Sequence, residues 1–367
     1  MPKSVSCKDR LGVHINMMCD CRSFSAGCSL YNNGYFVFYH YIHYIKSSGL
    51  PVALLISEII HFAQRGKEVY FMKTTSIFKG IATALITPMN KNGIDYESFG
   101  RLIDWQIAEG INALVIAGTT GEGSTLTDDE HRDVVEFSVK RAAGRVPIIA
   151  GTGSNYTAYA IELTKHCCDV GADAMLVVTP YYNKATQAGL VKSFTAIADA
   201  SPKPIILYNV PSRTGCSLVP ATCSILADHE KIVGIKEASG NISKIVETAA
   251  LVGDKLDIYS GNDDQIVPVL SMGGAGCISV LSNVIPRETC EITNRYFAGD
   301  ITGAAKLQCK YLPLINALFS EVNPIPVKAA MNAMGFCEND IRLPLTEMEE
   351  AHRRVLIERM REVGLSV

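Results

Sequence analysis

Ala174-Met175-Leu176-Val177-Val178 is an unbroken apolar run that gives way at once to Thr179-Pro180-Tyr181-Tyr182-Asn183. A strand that is apolar at every position is one buried on both faces, as strands of a helix-covered parallel sheet are. The same kind of short β-rich run recurs at residues 82–87, 113–117, 147–151, 205–208, 233–236, 257–260 and 276–280. Longer stretches of helical period separate these runs, among them 96–109, 128–143, 158–170 and 187–200. Eight strands, each followed by a helix, predict an α/β chain closed into a (β/α)8 TIM barrel rather than an open doubly wound sheet. Three more helical segments, 303–319, 326–334 and 346–363, are surplus to a barrel and predict a C-terminal three-helix appendage. The expected division is residues 72–298 for the barrel and 299–367 for the appendage.

Upstream of Met72 the character changes. Residues 1–71 are rich in Tyr, His, Cys and Ser, with an aromatic cluster from Tyr31 to Tyr44, and show no sustained helical or strand period. Lys67-Glu68-Val69 back-translates as AAG-GAG-GTN, which contains a bacterial ribosome-binding sequence, and Tyr70-Phe71 then gives a spacer before Met72. Translation is therefore expected to start at Met72, with residues 1–71 not part of the working protein. The competing expectation is a genuine extension that serves targeting or contact.

The composition suits a soluble globular protein: 367 residues, 48% hydrophobic, 19% charged, formal net charge -3. That charge leaves no basic footprint for nucleic acid. The longest candidate for a membrane span, 50–63, is shorter than the roughly 20 residues a bilayer requires and is interrupted by Glu58 and His61. With no secretory signal pattern at the start either, a cytoplasmic location is expected. The twelve cysteines show no metal-ligand spacing and are expected to be buried free thiols.

Polar motifs sit directly behind the apolar runs. Gly118-Thr119-Thr120-Gly121-Glu122 follows the second strand, and Tyr208 through Gly215 (YNVPSRTG) the fifth. Lys236-Glu237-Ala238-Ser239-Gly240-Asn241 follows the sixth, Ser260-Gly261-Asn262-Asp263-Asp264 the seventh, and Gly276-Cys277-Ile278-Ser279 forms the eighth. In a parallel barrel these ends converge on one face, where active sites are built. Lys236 ends a buried strand, so its amine is expected at the barrel mouth. Loss of solvation there disfavours the charged form and leaves a nucleophile for a carbonyl carbon. The alternative is a structural lysine paired with Glu237, but alternation along a strand sends Glu237 to the opposite face. Tyr208 is expected beside Lys236 as a proton carrier, or else as a core aromatic. Thr119 and Thr120 offer hydroxyls for a carboxylate or a proton relay; a capped tight turn is the plainer reading. Arg213 could fork onto a substrate carboxylate, or be a surface charge. Gly121-Glu122-Gly123-Ser124 is too short and misplaced for a phosphate-binding loop. No His, Cys, Asp and Glu cluster points to a metal, and Asp263-Asp264 reads as the start of the next helix.

Taken together, GTTGE, TPYYN, YNVPSRTG and GIKEASGN, in this order and spacing, resemble the dihydrodipicolinate synthase family of Schiff-base lyases from about Phe78 to Leu365. The resemblance implies condensation of pyruvate with aspartate semialdehyde on Lys236, without cofactor or metal. It implies Tyr208 as proton shuttle, relayed through Thr119 and a Tyr182 contributed by a neighbouring subunit of a homotetramer. Thr120 and the Ile278 backbone would hold the pyruvate carboxylate, Gly261 would line the pocket, and Arg213 would bind the semialdehyde. The related alternative is an N-acetylneuraminate lyase or another sugar-acid aldolase, whose counterpart of SRTG lacks this arginine. Lysine-inhibited members carry a pocket that His131, Asn155 and Tyr181 match here. Asp128 and Tyr159, however, stand where that pattern has a histidine and a glutamate, so inhibition by lysine is expected to be weak or absent.

Mass spectrometry of the native protein tests the start: the expected amino-terminal peptide begins at Met72, and any peptide from 1–71 contradicts it.

Overall fold

The computed structural model describes Val5–Lys8, His14–Met17 and residues 76–367. The chain divides into two units, Met1–Tyr70 and Phe71–Val367. In the first, the two short strands pair antiparallel with Val5 opposite Met17, strands that the irregular composition did not signal. The aromatic cluster at 31–44 and the expected start at Met72 lie outside the described residues.

The barrel of the second unit is built from eight strands: β1 (Gly80–Ala84), β2 (Ala113–Ile116), β3 (Ile148–Gly151), β4 (Ala174–Val178), β5 (Ile205–Asn209), β6 (Ile232–Glu237), β7 (Asp257–Ser260) and β8 (Gly276–Ser279). Each pairs in parallel with its sequence neighbours, and β8 pairs with β1 to close the barrel. Helices between the strands include α1 (Tyr96–Ala108), α2 (Asp128–Ala142), α3 (Thr157–Asp169) and α4 (Gln187–Ala200). They continue with α5 (Pro220–Leu226), α6 (Ile242–Val252), α7 (Ile266–Ser271) and α8 (Pro286–Phe297). The appendage is α9 (Ile301–Leu318), α10 (Ile325–Ala333) and α11 (Glu350–Glu362). These are the eight-stranded barrel and the three added helices that the periodicity predicts.

Period-two alternation sorts the strand residues into two apolar clusters. Ala82, Ala113, Val115, Ile149, Leu176, Ile206, Tyr208 and Tyr259 belong to one. Their strand neighbours Ile81, Leu114, Ile148, Met175, Leu207 and Ile258 belong to the other, with the apolar faces of the helices. Fully burying each such side chain stabilises by about 1.5–3 kcal/mol. In β6, Ile232 and Ile235 both pack in the helix-side cluster although they are three residues apart. The register against β5 slips between Ile232 and Gly234, so one extra residue resets the alternation. Without that slip Lys236, four residues after Ile232, would face the helices. With it, Lys236 aligns with Tyr208 of β5 and Tyr259 of β7, both in the inner cluster.

Most bounds fall within one or two residues of those expected, and two elements differ more. β1 spans 80–84 instead of 82–87, because it begins where Gly80 N–H donates to Ala275 O at 2.9 Å. Glycine is a poor strand former, so propensity passes over this start. The last helix begins at Glu350 rather than Thr346, because the preceding residues dock instead: Met348 is buried, and Glu349 N–H donates to Glu321 Oε1 at 3.0 Å.

At the β8–β1 closure, a Cβ on Gly276 would lie 1.8 Å from Gly80 O. Gly276→Ala is therefore expected to cost about 3 kcal/mol or more through overpacking. Thermal unfolding checks this, and an unchanged melting temperature would contradict so close a closure.

Candidate active site

Lys236 is buried, at 6% exposure, with Nζ 4.3 Å from the centroid of the Tyr208 ring. Among the described residues no salt bridge reaches it. Glu237 faces the other way, as alternation predicts, and is satisfied there. Its Oε2 accepts from Asn209 Nδ2 at 2.8 Å and its Oε1 from Ser239 N–H at 2.7 Å. The amine thus stands over an aromatic face with the adjacent carboxylate occupied elsewhere. Gly261, at the end of β7, makes room for it: a Cβ there would be 3.1 Å from Lys236 Cε and 2.5 Å from the Ala238 Cβ.

The loop after β2 brings the threonines. Ala117 (φ 53°) and Glu122 (φ 56°) hold left-handed backbone, and a Cβ on Gly123 would meet Ala117 O at 2.2 Å. The turn is consequently tight and tolerates little change. Thr120 is buried and its hydroxyl accepts from Asn323 Nδ2 at 3.0 Å, while Thr119 is half-buried. Gly118, Thr119, His131, Tyr208, Arg213 and Thr214 share the lining of a cavity of about 310 Å³. Arg213 belongs to a single helical turn, Pro211–Thr214, and its Nη2 donates to Asn323 O at 3.1 Å. Ala238, Asn262 and Asp263, flanking Lys236 and Gly261, line a second cavity of about 440 Å³ together with Ile315, Asn316 and Phe319 of the appendage.

Lys236, Tyr208, Thr119, Thr120, Gly261, Arg213 and the fully buried Ile278 all belong to the barrel's strands and the loops that follow them. Tyr182 does not join them within this chain. It is 90% exposed, with φ at 71°, and Tyr156 and Tyr181 are exposed as well.

Sequence reasoning missed four participants. Asp263 does open a 3-10 turn ahead of α7, but its carboxylate is also buried, accepting from Val280 N–H at 3.0 Å and Leu281 N–H at 2.9 Å. Burial pushes the Asp263 carboxyl above its ordinary range, opposed by these bonds and by the charge of Lys236. Asn323 bridges Thr120 and Arg213 from the appendage. Glu122 forms a buried ion pair with Lys328. Such long-range partners leave no periodic trace in a sequence.

The pocket compared above with lysine-inhibited proteins is internally paired. Asp128 accepts from Tyr159 OH at 2.7 Å and from Arg132 Nε at 2.8 Å. The Arg132 guanidinium holds the Asp128 carboxyl below its usual range, and burial followed by the Asp128 charge pushes Tyr159 up to about 12. His131 is buried with Nε2 2.8 Å from Gly151 O, and its burial lowers its proton affinity. One group with metal-donor types exists among the described residues, Glu321, Glu349 and His352 on the appendage. Two of its donors are engaged with each other, Glu321 Oε1 lying 2.8 Å from His352 Nδ1, and the same oxygen accepts from the Glu349 backbone N–H. The eight cysteines from Cys167 to Cys337 are free thiols, and seven of them are buried, as expected.

A profile of the dihydrodipicolinate synthetase family matches residues 77–362. The chain belongs to that family. A 4-hydroxy-tetrahydrodipicolinate synthase of Lachnoclostridium phytofermentans is 54% identical over 292 residues, covering 79% of this chain and 99% of the relative. The crystal structure of the Thermotoga maritima dihydrodipicolinate synthase superposes with a TM-score of 0.78 at 42% identity, covering 79% of this chain and 99% of that one. A chloride-inhibited dihydrodipicolinate synthase from Acinetobacter baumannii, complexed with pyruvate, gives a TM-score of 0.77 at 44% identity over the same shares. The family thus has both this barrel and a member that holds pyruvate.

Gly261→Ala is expected to fold and yet lose about 10²-fold in turnover, since a displacement of the order of an ångström at a reacting group costs that much. Steady-state kinetics beside a melting curve checks it; a folded variant of normal activity would contradict the packing around Lys236.

Proposed function

We propose that this chain is a 4-hydroxy-tetrahydrodipicolinate synthase, condensing pyruvate with L-aspartate 4-semialdehyde in the route to diaminopimelate and lysine. The observation that carries this reading is Lys236, buried over Tyr208 and free of its neighbouring carboxylate. Its amine attacks C2 of pyruvate, and loss of water from the carbinolamine gives the imine. Removal of a methyl proton yields an enamine, whose carbon attacks the aldehyde of the semialdehyde. The substrate's own amino group then closes on the imine carbon and expels Lys236. The imine is the electron sink, so the chemistry calls for neither metal nor cofactor.

Tyr208 carries protons between these steps, relayed through Thr119 and through Tyr182 of a second copy of the chain. The exposure of Tyr182, Tyr181 and Tyr156 supports a partner that covers them, and we infer a homotetramer built from such dimers. Thr120 and the Ile278 backbone hold the pyruvate carboxylate, and Gly261 leaves the space beside Lys236. Arg213 anchors the carboxylate of the semialdehyde with its fork of donors. That arginine, within YNVPSRTG, favours the synthase over an N-acetylneuraminate lyase or sugar-acid aldolase. The same reading places the enzyme in the cytoplasm, and residues 72–367 as its working part; no described helix is long and apolar enough to cross a membrane.

A coupled assay is expected to show turnover with pyruvate and aspartate semialdehyde and none with sugar acids. Lys236→Ala is expected to lower that turnover by about 10³-fold or more. Preference for a sugar acid would favour the aldolase, and full activity of the alanine variant would end the Schiff-base reading. A lysine titration tests regulation. Because Asp128 is already committed to Arg132 and Tyr159, little inhibition is expected, and half-inhibition at submillimolar lysine would be the contrary result.

A further inference from the structure

Glu122 ends the Thr119-Thr120-Gly121 turn, yet its side chain leaves the barrel. Its Oε1 accepts from Lys328 Nζ of α10 at 2.5 Å, and the two side chains are 2% and 1% exposed. Its other oxygen, Oε2, accepts from Arg342 N–H at 3.3 Å. The backbone of Glu122 is held in the left-handed region, which a residue with a side chain adopts reluctantly unless its surroundings require it. Two further ties join the same loop to the appendage. The Arg342 guanidinium takes both oxygens of Glu130 at 2.6 Å and donates to Thr125 O at 2.9 Å. Asn323 Nδ2 reaches the Thr120 hydroxyl at 3.0 Å.

A buried ion pair is a weak way to add stability, because an apolar pair of similar volume is often as good or better. What it supplies is direction: a short charge-assisted bond fixes where both chains lie. Here one end is fixed in the appendage and the other is two residues from Thr120.

We propose that Glu122 and Lys328 are positioning residues, through which the C-terminal appendage sets the Thr119–Thr120 turn for the carboxylate and proton transfers of the keto-acid substrate. This rests on the pyruvate reading above. The appendage is on this account part of the catalytic apparatus and not only a cover or an assembly surface. The pair touches no substrate and acts through the threonines, so its loss falls on the keto acid.

Two variants test it, E122M/K328M and E122D. The first removes both charges and keeps the volume; the second keeps the charge and shortens the reach by one methylene. Pyruvate KM, semialdehyde KM, the rate of borohydride-trapped pyruvate adduct and the melting temperature are measured for each. The double variant is expected to melt at or above the wild-type temperature while its pyruvate KM rises on the order of tenfold and trapping slows in step. Its semialdehyde KM should move far less. A merely structural pair would give the reverse pattern, a changed melting temperature with normal kinetics. If the double variant does not fold, E122D decides, with the same pyruvate-specific defect expected. A folded variant whose pyruvate KM and trapping rate stay within about twofold of wild type overturns the proposal. So does a defect shared equally by both substrates. A wild type that traps no pyruvate removes the functional reading itself, and this proposal with it.

Discussion

Closing eight parallel strands on themselves brings the end of every strand to one mouth, and alternation then decides which side chains enter it. For Lys236 that choice rests on a single extra residue in β6, where the register against β5 slips between Ile232 and Gly234. The slip turns Lys236 toward Tyr208 and Tyr259 and turns Glu237 outward to Asn209 and Ser239. A lysine beside its own carboxylate would be an ion pair; separated from it by the plane of the sheet, it is a candidate nucleophile. The strong polar groups of β6 are thus divided between two faces by backbone geometry alone.

The remaining parts fit around that amine by closeness more than by charge. Gly261 leaves space for the Lys236 stem, and Gly123 lets the threonine loop lie against Ala117. Asp263, buried beneath the end of β8, accepts from Val280 and Leu281 and so fixes the strand that carries Ile278. From outside the barrel, Asn323, Lys328 and Arg342 fasten the loop that carries Thr119 and Thr120. Rigidity of this kind suits the imine-forming site proposed above, because orientation supplies a large share of the barrier reduction.

Much of this was legible in the chain. Apolar runs such as 174–178 announced strands buried on both faces, and the polar residues directly after them announced the site. Alternation correctly separated Lys236 from Glu237. The start of β1 was hidden because Gly80 is there for its φ of 114° and its close approach to the Asn112 side chain, which no strand propensity rewards. The β6 slip was hidden because Ile232-Val233-Gly234-Ile235 reads as apolar in either register. Asn323, Glu122 and Lys328 were hidden for a different reason: their partners lie some two hundred residues away, and each alone is an ordinary polar residue. Tyr182 is 90% exposed within this chain, and the relay role proposed for it requires a second molecule.

The central claim is that the Lys236 nitrogen bonds covalently to the keto carbon of pyruvate. Soaking crystals of the protein in pyruvate and determining the structure tests it directly. Electron density continuous from Lys236 Nζ to the substrate C2, with Thr120 on the carboxylate, is the result this account predicts. Pyruvate bound with Lys236 separate from it, or bound covalently elsewhere, would contradict it.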